Sequence, residues 1–183
     1  MITITEKYEW AKNIPSDINE HIPVLKEYAD KCDVILELGV RAVVSTWAFL
    51  KSLEENNSEG RKLISNDLVK YPQVDEALQS AKDANLDFTF IEGSDLDVEL
   101  PECDFCFLDT WHTEEQMEAE MKIVPQKVRK YLAFHDTETF AISGEDQRPG
   151  IWKPIQNFVT ENPNWTIEYK TARNNGLTII RRN

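Results

Sequence analysis

The sequence predicts an α/β fold, a doubly wound and mostly parallel sheet that ends in an antiparallel hairpin. Three observations predict it. From residue 33 onward short apolar runs alternate with amphipathic stretches, the pattern of strands and helices that cover both faces of a parallel sheet. The run VILELG at 34–39 ends in an acid and a turn glycine just before a helical stretch. That places a helix N-terminus and a carboxylate beside one crevice. The last two apolar runs are separated only by a short turn, so they must pair antiparallel.

A first helix is expected over 16–32, capped by Ser16 or Asp17, with Ile18, Ile22, Leu25 and Tyr28 at helical spacing and Pro23 as a kink. Strand 34–38 leads to helix 45–54, which NNSEG at 56–60 closes. Strand 62–66 leads to helix 73–84, and strand 88–92 to a short link containing Pro101. Strand 105–108 leads to helix 113–123, where Thr113 and Gln116 spell the capping box T-x-x-Q. Strand 131–134 ends at His135 and Asp136. A polar loop, 137–150, separates it from helix 152–161, which stops at Asn162 and Pro163. Strands 166–170 and 177–181 flank the turn at 172–176. No internal repeat, low-complexity tract or linker interrupts the pattern. The chain therefore reads as one domain, 1–183, with 1–32 as an N-terminal helical extension.

The net charge of −13, from 20 Lys and Arg against 33 Asp and Glu, repels phosphate backbones and anionic bilayers. Nucleic acid and membrane are therefore not expected as partners. No apolar run approaches the roughly 20 residues that span a bilayer. MITITEKYEW at the N-terminus does not read as a signal peptide, and a cytoplasmic location is expected. The 3 cysteines suit a reducing compartment. Cys103 and Cys106 spell CxxC, but Cys106 lies in the apolar run FCFL, where thiols pack as small hydrophobes. Residues three apart on a strand also point to opposite faces, so these sulfurs are not expected to converge.

Chemistry-bearing residues gather at the carboxyl ends of the expected strands. They are Glu37 and Gly39, Asn66 and Asp67, Gly93, Ser94 and Asp95, Asp109, Trp111 and His112, and His135, Asp136 and Thr137. In an open α/β sheet these ends face one crevice. Asp67, at the end of the second strand, stands where a ribose-binding carboxylate falls, against the alternative of a solvated loop acid. Asp109, His135 and Asp136 offer ligands for one divalent cation. The carboxylates suit Mg2+ or Mn2+, and the histidine leans towards Mn2+, Fe2+ or Zn2+. His112, with an imidazole near neutrality, is a candidate general base. The competing reading is helix-capping aspartates with hydrogen-bonded histidines. His21 reads as a surface or packing residue, Trp47, Trp152, Trp165, Met117 and Met121 as packing residues, and the acidic run 114–120 as a solvated helix face.

At these residues the chain resembles the class I S-adenosylmethionine-dependent methyltransferases. It is most similar to the small branch related to cephalosporin hydroxylase and the catechol-type O-methyltransferases. ELGVRAVVSTWAF resembles that branch's first motif, DTWHTEEQ its fourth-strand motif, and HDT its ligand pair after strand five. The stretch from Arg173 to Thr178, RNNGLT, is similar to relatives among phage and large-virus proteins. The resemblance spans about 33–182 and implies a Rossmann-like sheet of seven strands with the last one antiparallel. It implies that Glu37, Gly39 and Ser45 line the methionine end of the cofactor, that Asp67 holds the ribose, and that Ser94 and Asp95 lie near adenine. Asp109, also beside the cofactor, His135 and Asp136 fall on metal-ligand positions, and His112 on that of the residue that takes the substrate proton. Two positions depart from the pattern. Val43 stands where the motif has glycine, so its side chain is expected to crowd the cofactor, and His135 stands where it has a carboxylate.

These readings converge on an O-methyltransferase that acts on a small hydroxylated molecule or a sugar. S-adenosylmethionine is its cofactor, Mg2+ or Mn2+ is admitted as an assisting metal, and loop 137–150 is a lid. Two other classes stay open on the same residues: a metal-dependent hydrolase or oxygenase, and a cofactor-binding module without catalysis. Association into a homodimer is also left open.

Overall fold

A computed structural model describes residues 3–183. Helices α1 (Ile4–Asn13) and α2 (Ile22–Ala29) precede strand β1 (Val34–Leu38). Then follow α3 (Thr46–Glu55), β2 (Lys62–Asp67), α4 (Pro72–Asp83), β3 (Asp87–Glu92) and β4 (Cys103–Leu108). The chain ends with α5 (Glu114–Lys127), β5 (Val128–His135), α6 (Trp152–Glu161), β6 (Trp165–Thr171) and β7 (Leu177–Arg182). The strands form one sheet in the order β3-β2-β1-β4-β5-β7-β6. Strands β1 to β5 are parallel, β7 runs antiparallel to β5, and β6 antiparallel to β7. The strand order reverses beside β1, and the crevice between β1 and β4 opens there at the carboxyl ends.

The pleat divides the core into two layers. Ile35, Phe105, Phe107 and Ala133 face α3 and the N-terminal helices, where Trp47, Phe49 and Leu50 cover them. Leu36, Leu38, Cys106, Leu108 and Leu132 face the other way, against Met117, Met121 and Ile155. His21, Trp47 and Trp165 are buried, as packing residues should be.

Helix α1 has no counterpart among the expected elements. Its signal is a full capping box: Thr3 Oγ1 accepts from Glu6 N at 3.1 Å, and Glu6 Oε2 accepts from Thr3 N at 2.8 Å. The helix expected over 16–32 is shorter. Ser16 Oγ accepts from Asn19 N at 3.1 Å and starts only a 3-10 turn, Asn19–His21, and Pro23 begins α2 instead of kinking a longer helix. The two cysteines of CxxC share a face, contrary to the simple alternation. Both thiols are buried in the second apolar layer, and β4 departs from regular pairing between them: the register shifts between Cys103 and Phe105, with the extra residue on β5. Burial first, and then the neighbouring Cys103, push the Cys106 thiol up. Among the described residues no helix is long and apolar enough to cross a membrane.

One buried cation closes two helices. Arg61 is 3% exposed, and every partner it has is a carbonyl or a hydroxyl. Its Nε donates to Cys32 O at 3.0 Å, and Nη1 to Ser52 O at 2.9 Å and Asn56 O at 2.7 Å. Nη2 donates to Ala29 O and Cys32 O, both at 2.9 Å, and to Ser52 Oγ at 3.0 Å. These carbonyls end α2 and α3, where no intrahelical donor remains and the helix dipole favours a cation. We expect Arg61→Ala to cost about 3 to 5 kcal/mol in urea unfolding, because it orphans buried acceptors. We expect Arg61→Lys to recover less than half of that, because an ammonium lacks the planar fork. A loss under about 1 kcal/mol for Arg61→Ala would contradict this role.

Candidate functional site

The loop after β1 is held from both sides. Gly39 has φ +84°, and a Cβ there would lie 2.0 Å from Asp109 O, so only glycine permits the approach of β1 to the end of β4. Gly39 N donates to Asn66 O at 2.9 Å, and Asp109 N to Leu38 O at 2.8 Å. Asp67 Oδ2 accepts from Val40 N and Arg41 N, both at 2.8 Å. Val43 has φ +58°, a left-handed conformation that is costly for a β-branched residue. Its side chain is 2% exposed and packs in the layer that contains Trp47. It does not line the cavity, so the expected crowding is absent.

Glu37 lies on the α3 face of β1 and is fully buried. Ser45 Oγ donates to it at 2.5 Å, Thr46 Oγ1 at 2.9 Å and Ser65 Oγ at 2.6 Å. The hydroxyls at the start of α3 thus turn to Glu37 instead of capping the helix. Burial pushes the Glu37 carboxyl up to about 7 against the pull of the three hydroxyls.

Above this floor lies a cavity of about 460 Å³ at the carboxyl ends of the strands. Gly39, Ser45, Asp67, Ser94, Asp95, Asp109, His112 and Asp136 all border it. Glu37 and His135 do not. Glu37 sits beneath Ser45, and His135 is 1% exposed behind Asp109. Trp111, 40% exposed, stands at the rim with the Arg148 guanidinium 4.7 Å from its ring centre.

Carboxylates and imidazoles meet at the far end of the cavity. His112 Nε2 lies 3.2 Å from Asp109 Oδ1 and 3.0 Å from Asp136 Oδ2, its Nδ1 lies 2.7 Å from Glu145 Oε1, and its ring stacks on Phe140 at 4.6 Å. The imidazole is pushed up to about 10. Burial opposes this, but hydrogen bonds and charge from Asp109 and Asp136 outweigh it. In place of a near-neutral base the site thus holds an imidazolium. Both histidines hold the Asp109 carboxyl well below its usual range against the pull of burial. His135 Nε2 donates to Asp17 O at 2.9 Å and its Nδ1 faces Asp109 Oδ1 at 3.2 Å, which fixes the carboxylate from behind.

Donor atoms of Asp109, His112 and Asp136 lie within 4.8 Å of one another. Asp136 Oδ1 is buried there with no hydrogen-bond partner. A convergent set of this kind with an unpaired carboxylate oxygen fits a divalent cation. In this set His112 takes the place expected for His135.

Four bordering or adjoining residues escaped the sequence reading. Asp17, read as a helix cap, borders the cavity and pairs with Arg41 at 3.1 Å. Glu145 lies in a loop without periodicity. Gln116 was read only as half of a capping box; Thr113 does cap α5, but the Gln116 amide turns to Asp95 and Glu120. Glu120, read as part of a solvated face, is fully buried on the side of α5 that carries Met117.

No protein-family model matches the sequence, and no curated protein does. Solved structures do. One is the O-methyltransferase from Bacillus cereus in complex with SAH, 16% identical with a TM-score of 0.67, where the match covers 98% of this chain and 90% of that one. The fold is that of the class I methyltransferases. The O-methyltransferase TomG from Streptomyces achromogenes in complex with SAM is 13% identical with a TM-score of 0.68, covering 97% and 89%. CalS11, a TDP-rhamnose 3'-O-methyltransferase, is 13% identical with a TM-score of 0.65, covering 97% and 93%.

Glu37 gives the floor a pH signature. An acid whose pKa is higher in the folded than in the unfolded chain binds its proton more tightly when folded, so its contribution falls as pH rises. The loss runs from the ordinary value of 4.5 up to about 7 and is complete above. Urea unfolding across this window should show a decline of on the order of 2 to 3 kcal/mol from this group. Glu37→Gln should flatten it, and an unchanged slope in the variant would refute the assignment.

Proposed function

We propose that the protein is an S-adenosylmethionine-dependent O-methyltransferase of a small hydroxylated molecule or a sugar, assisted by a divalent cation. The observation that carries the reading is the single cavity that joins the Gly39 loop and Asp67 to the Asp109, His112 and Asp136 cluster. Two fold neighbours that carry SAH or SAM, and a third, without cofactor, that is a sugar O-methyltransferase, support the reading. The finer placement in the cephalosporin-hydroxylase branch stands on the motifs at 37–49, 109–116 and 135–137 alone, and the likeness to phage relatives on 173–178.

When bound, S-adenosylmethionine supplies a methyl group on a sulfonium, and a divalent cation supplies a Lewis acid that lowers the pKa of a hydroxyl. The chain supplies the rest. Asp67 Oδ2 is taken up by Val40 and Arg41, while Oδ1 accepts only a long bond from Val69 N at 3.4 Å and keeps a lone pair for a ribose hydroxyl. Ser94 and Asp95 offer oxygens at the base end. Asp109, His112 and Asp136 would hold the cation. His112 has two mutually exclusive uses, since ligating a metal and accepting a substrate proton both need Nε2 while Glu145 holds Nδ1. Either use requires that the imidazolium first release a proton. Trp111 and loop 137–150 wall the reacting end and exclude water. Val43, the departure that favours a module without catalysis, leaves the cavity clear.

Calorimetry with S-adenosylmethionine and S-adenosylhomocysteine, with and without Mg2+ or Mn2+, tests this. Both should bind, and Asp67→Ala should weaken them by about tenfold, the value of a hydrogen bond to a charged group. Asp109→Ala should abolish any metal dependence. His112→Asn separates the two uses of the imidazole: weakened metal affinity marks a ligand, and intact metal affinity with lost turnover marks a base. Absence of binding by either nucleoside would end the proposal.

A further inference from the structure

Glu120 is the buried ionisable group that the proposed chemistry does not use. It is fully buried, and Asp95, beside it, is 7% exposed and borders the cavity. Glu120 Oε1 accepts from Thr110 Oγ1 at 2.5 Å and from Gln116 Nε2 at 2.8 Å. The same Gln116 amide reaches Asp95 Oδ1 at 3.2 Å and Oδ2 at 3.4 Å. Glu120 Oε2 has no partner. Ionised, it would be a bare carboxylate oxygen beside a second carboxylate, an arrangement that costs several kcal/mol. Protonated, it becomes a donor with the Asp95 carboxylate beside it as acceptor, and the orphan disappears.

The position of this pair gives it a consequence. Asp95 follows β3, Thr110 follows Asp109 next to the Asp109, His112 and Asp136 cluster, and both border the cavity. We propose that Glu120 is a positioning residue that joins these two segments of the cavity wall, holding the Asp95 carboxylate through one oxygen and the Thr110 hydroxyl through the other. Gln116 is the crossbeam, which is why its side chain abandons the reciprocal half of the capping box. Asp95 then presents a fixed acceptor to a ligand, and a shift of one segment is felt at the other. This role rests on the reading of the cavity as a cofactor site.

The titratable groups facing Glu120 are Asp95 and the Cys106 thiol of β4. Burial first, and then the Asp95 charge, push the Glu120 carboxyl up. Rising pH therefore removes the shared proton and sets two charges against each other at the cavity wall. The test is calorimetry of S-adenosylhomocysteine binding to the whole chain at neutral and at alkaline pH. Glu120→Gln keeps a neutral donor towards Asp95 and an acceptor for Thr110; Glu120→Leu keeps the volume and neither function. The wild type should lose about fivefold more affinity than Glu120→Gln across the pH change, and the two should bind within about threefold of each other at neutral pH. Glu120→Leu should bind about tenfold more weakly than the wild type at neutral pH. Equal affinity of all three proteins at both pH values would overturn the proposal. If Glu120→Leu does not fold, the comparison of wild type with Glu120→Gln decides alone, and equal pH slopes overturn it. Failure of the wild type to bind S-adenosylhomocysteine would instead overturn the reading of the cavity.

Discussion

The candidate site depends on one buried carboxyl, Glu37, and the three hydroxyls that close on it. Ser45 and Thr46 come from the start of α3 and Ser65 from β2, so a single group on β1 ties two strands and a helix together. Both ends of the loop at 39–44 are thereby fixed. Asp67 then holds its middle through Val40 and Arg41. A loop held at three points can keep Arg41 and Val43 in left-handed conformations that would otherwise relax. It can also keep Gly39 pressed against the backbone of Asp109. The cavity floor is rigid because its polar groups are satisfied from beneath, out of reach of water.

The opposite end is organised by charge. His112 stands among Asp109, Asp136 and Glu145, and His135 stands behind Asp109. The imidazolium of His112 among three carboxylates, with the His135 ring against Asp109, offsets part of the repulsion within the cluster. The proton on His112 Nε2, which faces Asp109 and Asp136, would have to leave before a divalent cation could bind these three residues. Metal affinity at this site is therefore tied to pH through His112, in contrast to a site made only of carboxylates, which are already ionised at neutrality.

Most of the architecture was legible because strands and helices write different periods into the chain. The seven strands and their parallel or antiparallel sense follow from run length, alternation and the lengths of the connections. The faces of the strands were legible too. Alternation puts Glu37 on the face of Ile35, but β1 is apolar on both faces, so the sequence set Glu37 against the cofactor and the structure sets it beneath Ser45. The failures have local causes. Pro23 is as compatible with a helix start as with a kink, and only the 3-10 turn before it decides between them. The irregular pairing of β4 and β5 at Cys103 leaves no mark in the residue types. Glu120 lies in a run of acids, and composition cannot show which acid of an acidic helix points inward; the helical spacing from Met117 and Met121 does carry that information. Asp17 and Glu145 reach the site from distant segments, which no local pattern reveals.

The lining has a net sign that follows from these contacts. Asp17, Asp67, Asp95, Asp109, Asp136 and Glu145 face the cavity, while Arg41 and His112 are its cations. The whole chain, at −13, adds to the same field. On the proposed reading, the donor enters with a sulfonium and leaves as a neutral thioether. Each carboxylate several ångströms from that sulfur favours the charged form by about 1 kcal/mol or less in a solvated cleft. Several acting together prefer the donor to the spent product. The same field opposes the loss of positive charge during transfer, and that term slows the reaction unless something offsets it near the acceptor oxygen. Asp109, His112 and Asp136 lie at that end, and a metal held by them would supply a Lewis acid for the acceptor oxygen. On that reading, a metal bound among Asp109, His112 and Asp136 would offset the acidic field at the acceptor end while Asp67 and Asp95 keep it at the donor end, a physical reason for metal and sulfonium to share one cleft.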